Sequence, residues 1–267
     1  MTTRMGLSRR QALLSAAALP LAATLPRAAR AKAEKQGMSV PSFSRFALGD
    51  FEVTTLLAGT RPVENPHDIF GLNVSAEEFA AASDAAFLPT DVAQFFFTPT
   101  LVNTGAALIL FDTGLNPEGI TAALAAAGHT PDEVDTVVIT HMHGDHIGGL
   151  MGEAGATFAN AAYVTGAVEH NHWMGAGNET FDAKVRPLND RFSFLDDGGA
   201  VAPGISANLA PGHTPGHMAY RIESGGKSLM LIADAANHPV WSLAHPDWEV
   251  KFDADKAQAA ATRRSLL

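Results

Sequence analysis

The segment V-D-T-V-V-I-T, residues 134 to 140, runs without a break into H-M-H-G-D-H-I-G-G, residues 141 to 149. A short, nearly continuous apolar run is the pattern of a strand buried inside a sheet. Its C-terminal end hands His141, His143, Asp145 and His146 to a single loop that turns on Gly148-Gly149. Whatever fold the chain adopts must bury this strand and bring partners to its tip.

Those residue types at that spacing are ligand chemistry. His141 and His143, two apart in an extended segment, project the same way and can share one cation. Gly144 lets the chain turn sharply, so Asp145 and His146 can address a second position next to the first. A single histidine at a strand end is ordinary; four ligand-type side chains in six positions are not explained by packing. The chain has no cysteine, which excludes disulfides, thiolate zinc sites and a cysteine nucleophile. Imidazole and carboxylate without sulfur favour zinc, with manganese, iron or cobalt as alternatives.

Two further stretches end expected strands in the same style. Ile205 to Leu209 leads to P-G-H-T-P-G-H, residues 211 to 217, and Ser228 to Ile232 leads to Ala233-Asp234. A rigid sheet can deliver His213 and Asp234 from there into a cleft shared with the first loop. Elsewhere the pattern gives hairpins: Phe46–Leu48 with Phe51–Leu57 across Gly49-Asp50, Thr100–Val102 with Ala106–Phe111, and Met218–Ile222 with Ser228–Ile232. Pro117–Ala127 and Ala167–Trp173 are expected helices, and residues 62 to 92 a loop-rich insertion around a helical patch, Ala76–Ala82. Hairpins with helices between them imply α/β architecture: two mixed sheets packed together, helices outside, one domain over 45–267.

The first 31 residues are read as an export signal and set aside. Arg9-Arg10 precede a weakly apolar run, Ala12 to Leu25, broken by Pro20, and Ala29-Arg30-Ala31 offers a small-x-small cleavage site. The arginine pair points to twin-arginine export and a periplasmic or secreted protein. The run is shorter than the roughly 20 residues needed to span a bilayer. Residues 32–44 are expected to be a linker. Removing residues 1–31 lowers the basic count from 18 to 13 against 28 acids, and the formal charge from −10 to −15. So acidic a surface argues against nucleic acid or an anionic membrane as partner.

Taken together, H-M-H-G-D-H, P-G-H-T-P-G-H, the earlier F-D-T-G (111 to 114) and the later A-D resemble the metallo-β-lactamase superfamily over residues 45 to 267. The resemblance implies an αββα four-layer sandwich with its site at one edge of the two sheets. It implies that His141, His143 and His213 hold a first metal, that Asp145 and His146 hold a second, and that Asp234 bridges them: two zinc ions per chain. Asp112 matches the aspartate that supports the site from behind, although a turn-capping carboxylate before Thr113-Gly114 reads almost as well. His217 is expected to support rather than ligate. The family's final histidine ligand has no counterpart before Leu267, so the expectation is a truncated C-terminal part and an incomplete second site; His238 or His245 could substitute only at an unfamiliar spacing.

Paired metals bring a bridging water close to neutral pKa and hold it as hydroxide, which removes the need for a serine or cysteine nucleophile. Asp145 or Asp234 could shuttle the proton to the leaving group. L-G-D-F-E-V-T (48 to 54), L-V-N-T-G (101 to 105) and V-K-F-D-A-D-K-A (250 to 257) are most similar to the methyl parathion hydrolase and N-acyl homoserine lactonase branch. This implies a small ester-like substrate, a lactone or organophosphate triester, and a homodimer. A β-lactamase, a thioesterase, a glyoxalase II-like hydrolase and an inactive metal-binding remnant stay open. Trp173 and His238 are candidates for the substrate pocket. His170 and His172 read as a solvated helix face, and Phe95–Phe97 as core rather than pocket.

Overall fold

The computed structural model describes residues 39–267. The expected export signal, and the linker up to residue 38, lie outside the described residues. In chain order the elements are β1 (Phe43–Leu48), β2 (Phe51–Leu56), β3 (Gly59–Glu64), α1 (Ala76–Ala85), β4 (Val92–Phe97), β5 (Thr100–Asn103), β6 (Leu108–Phe111), α2 (Pro117–Ala126), β7 (Thr136–Ile139) and the single turn α3 (Gly144–Ile147). Then follow β8 (Met151–Gly152), β9 (Gly155–Ala156), β10 (Ala162–Gly166), α4 (Ala167–Met174), α5 (Glu179–Lys184), β11 (Phe192–Leu195), β12 (Ala200–Ala202), β13 (Ile205–Leu209), β14 (Met218–Ser224), β15 (Lys227–Leu231) and α6 (Lys256–Leu266). No helix among the described residues is long and apolar enough to cross a membrane.

Seven strands form one mixed sheet in the order β1-β2-β5-β6-β7-β10-β11, and four form an antiparallel sheet, β12-β13-β14-β15. Alternating side chains of the larger sheet serve two cores. Val53, Val102, Ile109, Phe111, Val138 and Val164 face the smaller sheet and pack with Ile205, Ala207, Met218, Tyr220 and Ile222. Leu101, Leu110, Val137, Ile139 and Tyr163, their chain neighbours, face the helical layer and meet Ile120, Leu124, Phe181 and Leu188. Burial on both faces is why β6 and β7 read as unbroken apolar runs. This is the expected sandwich.

The strands β6, β7, β10 and β11 run parallel, so the loops after β6, β7 and β10 leave from one edge, where an open α/β sheet binds its ligands. The smaller sheet brings its own loops to that edge: the Met218 N–H donates to the Thr140 carbonyl at 2.9 Å, tying the start of β14 to the end of β7. The first hairpin turns on Gly49, whose φ of +60° suits glycine. A Cβ there would also collide with the Ser224 carbonyl in the turn of the β14–β15 hairpin.

The region 62–92 departs from the loop-rich expectation at its borders. β3 and β4 pair antiparallel, Gly59 opposite Phe97 and Glu64 opposite Val92, as a separate two-stranded ribbon. Pro62 and the polar residues around it hide this strand from pattern reading, and an isolated ribbon tolerates proline where a central strand does not. Between the arms lies α1, capped by the Ser75 hydroxyl accepting from the Glu78 N–H. It packs through Phe79 onto Trp241 and Trp248 in a third core with Phe70 and Val250, and the Trp241 indole N–H donates to the Ser83 hydroxyl at 3.0 Å. In β4, Phe95 and Phe97 are half-buried while Phe96 points outward, 49% exposed, so only part of that triplet behaves as core.

Candidate metal centre

Each ligand-type residue singled out in the sequence hangs from the end of a strand. Asp112 follows β6, His141 to His146 follow β7, His213 follows β13, and Asp234 follows β15. In α3 the His146 N–H donates to the His143 carbonyl at 2.9 Å, so one tight turn presents both rings. Gly216 lets the 211–217 loop lie on α4: a Cβ there would collide with the Glu169 backbone.

Two groups form within this edge. Ring nitrogens of His141, His143 and His213 lie within 4.8 Å of one another, and so do ligand atoms of His141, His146 and Asp234. In the first group His143 Nδ1 is 3.1 Å from His141 Nε2 and 3.0 Å from His213 Nε2. Asp234 faces both groups, Oδ1 at 3.5 Å from His146 Nε2 and Oδ2 at 3.5 Å from His213 Nε2. Asp145 stands slightly farther out, its Oδ2 3.7 Å from His146 Nε2.

The hydrogen bonds behind the rings settle which nitrogens face inward. The Thr140 hydroxyl donates to Asp112 Oδ2 at 2.8 Å. Its proton is thereby committed, so at 3.1 Å it accepts from His141 Nδ1–H. That leaves His141 Nε2 as a lone pair aimed at the cluster. His146 Nδ1 donates to the same Asp112 oxygen at 2.9 Å, and the other Asp112 oxygen accepts the Thr140 N–H at 2.9 Å. Asp112 therefore fixes two imidazoles, one directly and one through Thr140, while its own backbone sits at φ +61°, a conformation aspartate tolerates better than most residues. The turn-cap alternative does not describe it.

Ring nitrogens converging at 3.0 to 3.1 Å must share a proton or a cation between them, since bare lone pairs at that distance repel. In a tetrahedral zinc site with Zn–N of about 2.0–2.1 Å, neighbouring ligand nitrogens stand about 3.3 Å apart. The trio fits such an ion, and the donor set, imidazole and carboxylate only, suits it chemically.

The electrostatics differ across the cluster. Burial, with the surrounding imidazoles adding to it, drives His141 well below the ordinary histidine value and brings His143 down to about 4. Burial also opposes charge on His146, but Asp112 and Asp234 outweigh it and raise its pKa well above 6.5. Asp234 is held below the usual carboxylate range because His146 and His213 overcome the cost of its burial. Asp145 is shifted upward, chiefly by burial. His217 is fully buried, 5.0 Å ring to ring from His141, with neither nitrogen hydrogen-bonded, and burial takes it down to about 3.

The peripheral candidates sort themselves by their contacts. Trp173 stands edge-on to His143 with ring centroids 5.7 Å apart. His238 is outside the cluster: its Nδ1 accepts the N–H groups of Val240 and Trp241 at 3.2 and 3.0 Å, and its ring stacks on Trp241 at 4.0 Å. His245 stacks on Trp248 and is likewise outside. The solvated-face reading holds for His172 and fails for His170. The latter is buried, bonded to Asn189 Oδ1 at 2.7 Å, and packed on Phe194 and Phe181, which arrive from later in the chain.

One functional residue went unnoticed in the sequence. Glu169 on α4 is fully buried and accepts four hydrogen bonds. These come from the Met142 N–H, the Trp173 indole, the Thr214 hydroxyl and the Gly216 N–H, at 2.9, 2.7, 2.7 and 3.0 Å. It clamps the 141–146 loop to the 211–217 loop. Its only sequence signal is an acid inside a helix that directly follows a buried strand.

The sequence pattern of the metallo-beta-lactamase superfamily matches residues 98–267. The chain belongs to that superfamily. The N-acyl homoserine lactonase of Bacillus cereus is 24% identical over 144 residues, 54% of this chain and 55% of the relative. The chain thus spans about half the length of the curated relatives it matches. Among solved structures, AidC, a dizinc quorum-quenching lactonase determined with a product homoserine, is 27% identical with a TM-score of 0.75, covering 84% of this chain and 85% of AidC. The hydrolase AbOPH superposes with a TM-score of 0.77 at 24% identity over 86% of each chain, a likeness of fold alone.

Proposed function

We propose that the protein is a metal-dependent hydrolase of ester-like bonds, with a lactone as the first substrate to try and zinc, two ions per chain, as the cofactor. The observation that carries this reading is the trio of His141, His143 and His213, whose ring nitrogens converge at 3.0 to 3.1 Å. His146 and Asp145 would hold the second ion, and Asp234, with an oxygen toward each group, would touch both. When bound, such ions act as Lewis acids toward a carbonyl or phosphoryl oxygen and bring water close to neutral pKa. The lactonase relatives support the substrate class; an organophosphate triester is the alternative, from the resemblance of its sequence branch.

The chain's own groups have definite tasks. Asp112 and Thr140 keep His141 and His146 in the tautomers that present Nε2. Asp145, half-buried and shifted upward by that burial, is the carboxylate best placed to carry a proton toward a leaving group. Trp173, edge-on to His143, would wall one side of the cleft. The paired arginines near the N-terminus support twin-arginine export and a periplasmic site of action.

The test is metal analysis of the purified protein with turnover of N-acyl homoserine lactones, p-nitrophenyl esters, an organophosphate triester and a β-lactam. Two equivalents of metal, with lactone cleavage that chelation abolishes and zinc restores, are expected. Full activity in metal-free protein would overturn the reading, and turnover confined to the β-lactam would overturn the substrate class.

A further inference from the structure

His213 is held from behind by a carboxylate remote in sequence. Its Nδ1 is 3.1 Å from Asp253 Oδ1, and its Nε2 faces His143 in the trio. The other Asp253 oxygen, Oδ2, accepts from an Arg263 terminal nitrogen at 2.9 Å. Both side chains are 1% exposed. Arg263 is in turn fully engaged: it donates to the carbonyls of Pro246 at 2.9 Å, Trp248 at 3.0 Å and Ala235 at 3.4 Å, the last being next to Asp234.

The main chain follows the same path. Ala254 N–H donates to the His213 carbonyl at 3.1 Å and Asp255 N–H to the Gly212 carbonyl at 2.9 Å. The Thr262 hydroxyl reaches the Pro211 carbonyl at 2.6 Å. Residues 253 to 263 thus wrap the loop that presents His213.

An ion pair so completely removed from water is a poor source of stability, because desolvating both charges offsets most of their attraction. Its geometry is better explained by its target. A buried carboxylate accepting Nδ1–H fixes the ring, dictates that Nε2 is the free nitrogen, and makes that nitrogen more basic. Asp112 does this for His146 on the other side of the cluster, at 2.9 Å. Asp253 and His213 repeat the arrangement.

We infer that Asp253 is a positioning residue for His213, held in place by Arg263 from α6, and that the wrap of residues 253 to 263 sets the affinity of the His141–His143–His213 site for its ion. The inference rests on the proposed role of that trio as a metal site. It assigns a part in the centre to Asp253 and Arg263, both distant in sequence from the ligand-bearing loops.

The experiment compares the wild-type protein with Asp253→Asn and Arg263→Lys, titrating metal-free protein with Co2+ and recording its visible spectrum alongside far-UV circular dichroism. Asp253→Asn is expected to keep its fold, to bind Co2+ at one site about 10- to 100-fold more weakly, and to change the ligand-field bands. Arg263→Lys, which keeps the charge and loses the fork, should fall between the two. A folded Asp253→Asn protein with wild-type affinity and spectrum overturns the inference and leaves the metal centre standing. Wild-type protein that takes up no Co2+ overturns the metal centre and this inference with it. Should the variants not fold, nitrogen NMR of wild-type protein labelled in its histidines decides: His213 protonated on Nδ1 supports the inference, and protonation on Nε2 overturns it.

Discussion

On one side of Asp234, three imidazoles face each other, and the carboxylate behind them, Asp253, meets only the far nitrogen of His213. On the other, His146 lies between Asp112, Asp145 and Asp234, within 2.9, 3.7 and 3.5 Å of their oxygens. Burial therefore has opposite outcomes on the two sides. It strips the proton from His141 and His143, leaving neutral ligands ready for a cation, whereas around His146 the carboxylates overcome burial and retain a proton that an incoming ion must displace. The same residue type thus meets opposite conditions: His141 and His143 are prepared by exclusion of water, His146 by negative charge.

The contrast can be broken most directly at the residue both sides share. Asp234→Asn should lower kcat/KM by about 10³-fold or more, on the order of 4 kcal/mol, and reduce metal content on both sides. Metal analysis beside steady-state kinetics checks this; loss from one side alone would show that Asp234 does not join them.

The next effect is on stability and has two signs. In chelated protein, His141, His143 and His217 have depressed folded pKa values, about 4 for His143 and about 3 for His217. The unfolded chain then takes up protons that the folded one refuses, so stability falls as pH drops from 6.5 toward 5, by about 1.4 kcal/mol per pH unit for each fully titrating ring. His146 has the opposite sign: its raised folded pKa gives a contribution that is complete below 6.5 and is lost as pH rises through the raised value. Melting temperature against pH should fall on both sides of a maximum near 6.5. A flat profile would remove the contrast.

Smaller effects separate the sides further. Asp145→Asn should cost about 10²-fold in turnover while the trio keeps its metal, which chelator competition can follow. Asp112→Asn should weaken metal binding on the His146 side about 10- to 100-fold, measured by calorimetry. A larger effect on the trio than on His146 would mean that the bond through Thr140 matters more than the direct one.

The candidate ligands were legible because they cluster along the chain: His141 to His146 fall in one loop, and His213 and Asp234 each follow an apolar run. The sandwich was legible for the same reason, since β6 and β7 are unbroken apolar stretches and the hairpins turn at Gly49 and Gly225-Gly226. The supports were not. Asp253 and Arg263 lie 40 and 50 positions after His213 and act only through folded geometry. His170 looked solvated because the phenylalanines that bury it come from β11 and α5. The β3–β4 ribbon escaped because a two-stranded element carries little apolar alternation to read.

The fourfold grip of Glu169 has a practical consequence for redesign. Because Trp173 shares that carboxylate with the backbone of Met142 and Gly216, the indole beside His143 and the two loops behind it are one mechanical unit. Replacing Trp173 would loosen the loops that carry His141, His143 and His213 at the same stroke.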